Sequence, residues 1–150
     1  MQTKLKKGID YIGVGVGAVI VDSNGKVFLA KRGREARNEV GKWEFPGGEV
    51  KFGETLEHAL CREVMEEFGL EIEVHELLNV VSHIIPIEKQ HWISPTYLCK
   101  VKCGTPWIRE PHKCDGIGWF AIDEIPVGEL SIASAHSLTH YMARIANNRD

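Results

Sequence analysis

The chain has 150 residues, with 18 lysines and arginines against 21 aspartates and glutamates, a formal charge of −3 and a sequence pI near 6.2. That length accommodates one substantial core and not two ordinary domains, so residues 1–150 read as a single domain with 1–10 as a flexible lead. The charge balance supplies no basic surface of the kind that polymeric nucleic acid requires, which excludes a duplex or long single strand as partner.

In chain order, Lys4, Lys6 and Lys7 precede an apolar run from Tyr11 to Val21 that superficially resembles a secretion signal. Gly13, Gly15 and Gly17 interrupt it, Asp22 ends it and no small-residue cleavage site follows. It is also too short to span a bilayer. Nor is it a dinucleotide fingerprint, because the third glycine is misplaced and a strand follows instead of a helix. The reading is a glycine-bearing strand over Val14–Val21, whose glycines leave room for a nucleoside beside the sheet. Asn24-Gly25 turns the chain into a second strand, Val27–Arg32. The polar segment Gly33–Lys42 reads as a loop. Trp43–Val50 reads as a short strand ended by Pro46, Gly47 and Gly48.

A helix follows, with Thr55 as N-cap and Gly69 as its C-terminal glycine. At about 100° per residue, Glu63, Glu66 and Glu67 share one arc while Leu60, Cys61, Val64 and Phe68 fill the neighbouring one. Like charges one turn apart cost a few tenths of a kcal/mol (~0.2–0.5) in an isolated helix. An acidic face of that kind is suited to divalent metal. Ile72–Ser82, His91–Val101 and Gly118–Ala121 read as further strands. Leu130, Ala133, Leu138, Tyr141, Met142 and Ile145 recur at helical spacing within a second helix over Glu129–Asn147. The class is α/β (α+β), a mixed sheet with helices on its faces.

Cys61, Cys99, Cys103 and Cys114 have no framework spacing and read as reduced thiols of a cytoplasmic protein. A zinc site from Cys99, Cys103, His112 and Cys114 is a weaker alternative than hard oxygen ligands.

Gly48, Glu54, the run Arg62-Glu63-Val64-Met65-Glu66-Glu67 and then Gly69-Leu70 resemble the complete signature of the Nudix (MutT-like) hydrolases. The resemblance implies an α/β/α sandwich around a central mixed sheet over nearly the whole chain. It implies a small-molecule nucleotide substrate, no membrane partner and, by family analogy alone, a homodimer. Hydrolysis of a pyrophosphate needs cations on its oxygens and a base for water. Glu63, Glu66 and Glu67 are the expected ligands of Mg2+, with Mn2+ as a substitute, and the Gly48 carbonyl joins them by resemblance. Arg62 is expected to pair with Glu54 and brace loop against helix.

The general base stays open between the helix glutamates and a later loop, Arg109–Phe120, which offers Glu110 and Asp115. Glu110-Pro111-His112-Lys113-Cys114 resembles a stretch of the nucleotide triphosphate diphosphatases of the family, which places Lys113 beside a phosphate. Lys31, Arg32, Arg34 and Arg37 are candidate receivers of outer phosphates, and Phe45, His91 and Trp92 are candidate platforms for a base. The expected reaction is cleavage of a nucleoside triphosphate to monophosphate and pyrophosphate, of the nucleotide-pool sanitising type. Pro86 keeps an ADP-ribose substrate as the alternative, and a non-catalytic nucleotide sensor is the alternative of another class.

Overall fold

The computed structural model describes residues 2–149; Met1 and Asp150, the ends of the expected domain, lie outside the described residues. Seven strands form one mixed sheet: β1 (Gly13–Val21), β2 (Val27–Arg32), β3 (Trp43–Glu44), β4 (Gly47–Glu49), β5 (Glu71–Ile85), β6 (Gln90–Cys103) and β7 (Cys114–Phe120). The main order is β3-β2-β1-β6-β5, with β4 paired to β1 and β7 to β2. Helix α1 (Leu56–Phe68) covers one face and α2 (Ile132–Asn147) the other.

Strand alternation builds the two cores. Val16, Ala18 and Ile20 of β1 and Phe28 and Ala30 of β2 pack with Ala59, Leu60, Val64 and Phe68 of α1. Val19, Val27 and Leu29, one residue out of phase, pack with Leu138 and Tyr141 of α2. Met142, expected in that core, is exposed, and the buried positions of α2 are Ser134, Ser137, Leu138 and Tyr141. The α2 contact stripe is therefore half polar. Leu130 is buried but precedes the helix, because Ser131 caps it with its side chain on the Ser134 amide.

The feature that makes the site is the parting of β1 and β2. They pair at Val21 and Val27 and then diverge, so β1 continues onto β4 and β2 onto β3. The segment Trp43–Glu49 is wedged into that gap, one end on each strand. Gly47 and Gly48 therefore do not end a strand as expected; they form β4, opposite Gly17 and Val16. Glycine is needed there for close approach, since a Cβ on Gly47 would stand 1.8 Å from the Val16 carbonyl oxygen. The turn glycine before the helix is Gly53, at φ 88°.

The lead is tied down from Lys6 onward. The Lys6 amide donates to Asp10, Lys7 bridges to Tyr11, and the Gly8 carbonyl accepts from the His91 amide. No helix among the described residues is long and apolar enough to cross a membrane.

Candidate active site

Helix α1 is fixed at both ends before it presents any charge. The Thr55 hydroxyl accepts from the His58 amide at 3.1 Å, and Gly69, left-handed at φ 62°, returns its amide to the Met65 carbonyl. Its buried residues hold one face on the sheet, which leaves Glu63 and Glu67 facing the gap between β1 and β2.

Arg62 braces this arrangement. Its Nε and Nη2 donate to the two oxygens of Glu54 at 2.6 and 2.8 Å, and Nη2 also donates to the Glu49 carbonyl at 3.0 Å. Nη1 donates to Glu63 at 2.9 Å and Glu66 at 3.2 Å. The Arg62 bond holds the Glu54 carboxyl down at about 2. One guanidinium thus ties strand β4, the following loop and α1 together.

Glu63 and Glu67 border a wide cavity of about 400 Å3 together with Glu44 and Glu110. Lys31, Arg32, Arg37 and Lys113 border the same space. Burial, then the charges of Glu44, Glu63 and Glu110, push the Glu67 carboxyl up to about 9. Glu110 Oε2 is buried and accepts no hydrogen bond, although Lys113 Nζ lies 3.2 Å away. Among the described residues no three acidic, imidazole or thiol groups already converge as a metal cage. The donor set nevertheless fits a hard divalent ion, which commonly takes one or two carboxylates and completes its shell with water and phosphate. A crowded, proton-raised carboxylate such as Glu67 is what such an ion relieves.

Expected positions separate here. Glu63, Glu67, Glu110, Lys113, Arg32 and Gly48 all border the cavity. Gly48 is held against Glu63 so closely that a Cβ would meet the Glu63 carboxyl carbon at 2.2 Å. Glu66 does not border the cavity; its carboxylate is exposed and bound to Arg62. Arg34 is exposed and does not border this cavity, whereas Arg37 does. Arg32 is half committed, with Nε on the Asn38 carbonyl at 2.7 Å and Nη1 on Glu44 at 2.5 Å.

The sequence reading missed Glu44. Its signal was register: Glu44 lies opposite Ala30, a residue of the α1-side core, so its side chain emerges on the face that carries Glu63 and Glu67.

A second, narrow cavity of about 80 Å3 shares Arg32, Arg37, Glu44, Gly47 and Gly48 with the first. It continues between β1, β6 and the start of α2, past Phe45, Ser94, Thr96, Ser131, Ser134 and Ser137. Phe45 borders it as expected of a base platform. Trp92 borders it too, but the residue is only 4% exposed, with Gly8 and Gly13 packed on its ring and the Arg37 guanidinium 4.1 Å from the ring centroid. Trp92 holds Arg37 and offers no free face to a base. His91 borders neither cavity.

Loop 33–42 is knitted to this wall. Asn38 Nδ2 and Trp92 Nε1 both donate to Gln90 Oε1, at 3.0 and 2.9 Å, and Gln90 Nε2 returns to the Arg37 carbonyl at 2.9 Å. Glu39, left-handed at φ 44°, bonds His83 with one oxygen at 2.5 Å and accepts from the Ile132 amide with the other at 2.9 Å. The loop, β5 and the α2 N-terminus meet on that carboxylate.

Residues 12–141 match the model of the NUDIX domain. The chain is 30% identical to the 8-oxo-dGTP diphosphatase of Escherichia coli K12 over 128 residues, which cover 83% of this chain and 96% of that protein. It is 43% identical to the 8-oxo-dGTP diphosphatase of Proteus vulgaris over 68 residues, 45% of this chain and 60% of that protein. The alignments span 66% of a MutT-like protein of Streptomyces ambofaciens and 33% of a putative nudix hydrolase of Caenorhabditis elegans. Among solved structures, the MutT NUDIX hydrolase of Burkholderia pseudomallei superposes with a TM-score of 0.78 at 40% identity, covering 85% of this chain and 96% of that one. With a central mixed sheet, a helix on each face and a matching NUDIX domain model over residues 12–141, this chain belongs to the Nudix family, whose members are generally dependent on a divalent metal.

Proposed function

We propose that this protein hydrolyses a nucleoside triphosphate to the monophosphate and pyrophosphate, using Mg2+ or, in its place, Mn2+. The observation that carries the reading is that two unlike cavities share lining residues: an acidic one ringed by cations, and a narrow one lined beyond the shared residues mostly by uncharged side chains, with Arg32, Arg37, Glu44, Gly47 and Gly48 bordering both. A triphosphate needs both in that order. Relatives named 8-oxo-dGTP diphosphatase, CTP pyrophosphohydrolase and oxidized purine nucleoside triphosphate hydrolase support the same reaction class.

Glu63 and Glu67 would hold the ion, with Glu66 joining from the rim and the Gly48 carbonyl beside them. When bound, the ion supplies positive charge to the phosphoryl oxygens and lowers the pKa of water. Lys31, Arg32, Arg37 and Lys113 receive the outer phosphates, whose charge a sugar-linked diphosphate does not present at that end. Glu110 is the base: its unbonded Oε2 takes the proton as the water oxygen bonds to one phosphorus of the α–β linkage and the bridging oxygen departs on the other, which leaves the monophosphate and pyrophosphate. Pro86, the clue for ADP-ribose, borders neither cavity and supports no second reading.

The test is a product assay with magnesium over canonical and oxidised nucleoside triphosphates and ADP-ribose. Pyrophosphate and a monophosphate are expected. A higher kcat/KM for ADP-ribose than for every triphosphate overturns the reading.

A further inference from the structure

The N-terminal lead brings one more cation to the acidic cavity. Lys7 borders that cavity and not the narrow one, and it precedes residue 12, where the match to the NUDIX domain begins. It is a contribution of this chain's own lead and not of the shared domain.

The backbone around Lys7 is fixed. The Asp10 amide donates to the Lys6 carbonyl at 2.9 Å and the Gly8 amide to the Tyr11 carbonyl at 2.7 Å, which closes a tight turn. Gly8 is left-handed at φ 77°, and its carbonyl accepts from the His91 amide at 2.8 Å. A Cβ on Gly8 would stand 2.2 Å from the Trp92 ring, so only glycine lets the turn lie against the indole.

The side chains complete a circuit. Lys7 Nζ bonds one oxygen of Glu49, and Arg37 Nη1 reaches the other at 3.4 Å. The Arg37 guanidinium lies over Trp92, against which Gly8 packs. Glu49 thus shares one negative charge between two cations, which leaves one positive charge uncompensated at the cavity wall. Glu49 is the only side-chain partner of Lys7 among the described residues, so two of the three ammonium donors stay free. The Lys7 side chain is 45% exposed, and a phosphate oxygen in the cavity is an acceptor of the charge those donors suit.

Resting on the triphosphate reading above, we propose that Lys7 is a substrate-binding residue supplied by the lead, donating to a phosphate oxygen of the nucleotide while Gly8, Trp92 and Glu49 hold it beside Arg37. The cation set that receives the phosphates is then completed from outside the family's domain.

The experiment measures inhibition of triphosphate hydrolysis by pyrophosphate, and by the nucleoside that lacks phosphate, in wild type, Lys7→Ala, Lys7→Arg and Glu49→Gln. Lys7→Ala should raise the inhibition constant of pyrophosphate and KM for the triphosphate by about fivefold, with kcat changed by less than about twofold. Lys7→Arg should recover most of that loss, and the nucleoside constant should not move. A bridge that only tied the lead to β4 would be broken equally by Lys7→Ala and Glu49→Gln. A phosphate donor gives opposite signs, because Glu49→Gln keeps Lys7 and removes a competing negative charge, which should lower the pyrophosphate constant. Unchanged constants in Lys7→Ala, or equal rises in Lys7→Ala and Glu49→Gln, overturn the proposal. If no triphosphate yields pyrophosphate, the reaction reading fails separately. Calorimetric titration of magnesium pyrophosphate into the same four proteins then decides the role of Lys7 alone, by the same signs, and a wild type that binds no pyrophosphate overturns it.

Discussion

The acidic and the narrow cavity share five residues and are opposite in character. Around the narrow one, buried polar groups are mostly paired: Glu39 with His83 and Ile132, Asn38 with Gln90, Ser137 with Asn79 and Thr96. Around the acidic one, Glu67 is held far above the usual carboxylate range and Glu110 has an oxygen without a hydrogen bond. Satisfied networks keep a shape, whereas unsatisfied charge raises the free energy of the empty site and is released on binding a cation. Position on the sheet decides which a residue experiences, since the acidic cavity is bordered by α1 and the narrow one by the start of α2.

The largest expected effect tests the unsatisfied side. Glu67→Gln should lower kcat by about 10³-fold or more, roughly 4 kcal/mol of barrier, while Glu66→Gln, at the rim, should lose about 10- to 100-fold. Equal losses would mean that the Glu66 side chain leaves Arg62 and enters the cavity. Glu110→Gln should depress turnover without weakening magnesium affinity, and unchanged turnover would return the base to the helix.

Stability should move the other way. The folded pKa of Glu67, about 9, exceeds the usual carboxylate value of 4.5, so its contribution is fully present below that usual value and is lost as pH rises through the folded one. Without metal, Glu67→Gln should therefore raise Tm relative to wild type above neutrality, with no difference near pH 4. Magnesium should reverse the order, and its binding at pH 7 should release protons that a weakly buffered titration detects.

A smaller effect sharpens the boundary between the cavities. Arg37→Ala should raise KM for triphosphates by about tenfold, and Arg34→Ala by less than about twofold. The reverse ranking would restore Arg34 to the phosphates.

The smallest effect lies outside both cavities. Glu54 has its pKa depressed by Arg62, so the stability it contributes is present above the usual carboxylate range and is lost as pH falls through about 2. Glu54→Gln should lower Tm at pH 7 and leave it unchanged at pH 2.

Helix α1 was legible because its information is local. Thr55, Gly69 and the periodic Leu60, Val64 and Phe68 act within a few residues of one another, and the Glu54–Arg62 pair spans only eight. Strands β1 and β2 and the family were legible for the same reason. The path of Trp43–Glu49 was not, because Gly47 and Gly48 look the same in a turn and in a strand; only the crowding of Val16 distinguishes them. Nor was the state of Trp92, whose faces are covered by Gly8, Gly13 and Arg37, residues 55 or more positions away.

The sequence by itself determined the fold class, the acidic helix and the chemistry it suits, since helical period, caps and carboxylate spacing are properties of adjacent residues. Tertiary structure alone decided which acids share a cavity. Glu35, Glu44, Glu49 and Glu110 border the cavity with Glu63 and Glu67, and Glu66 stays outside, because strand register and the parting of β1 from β2 set those distances and no local rule encodes either.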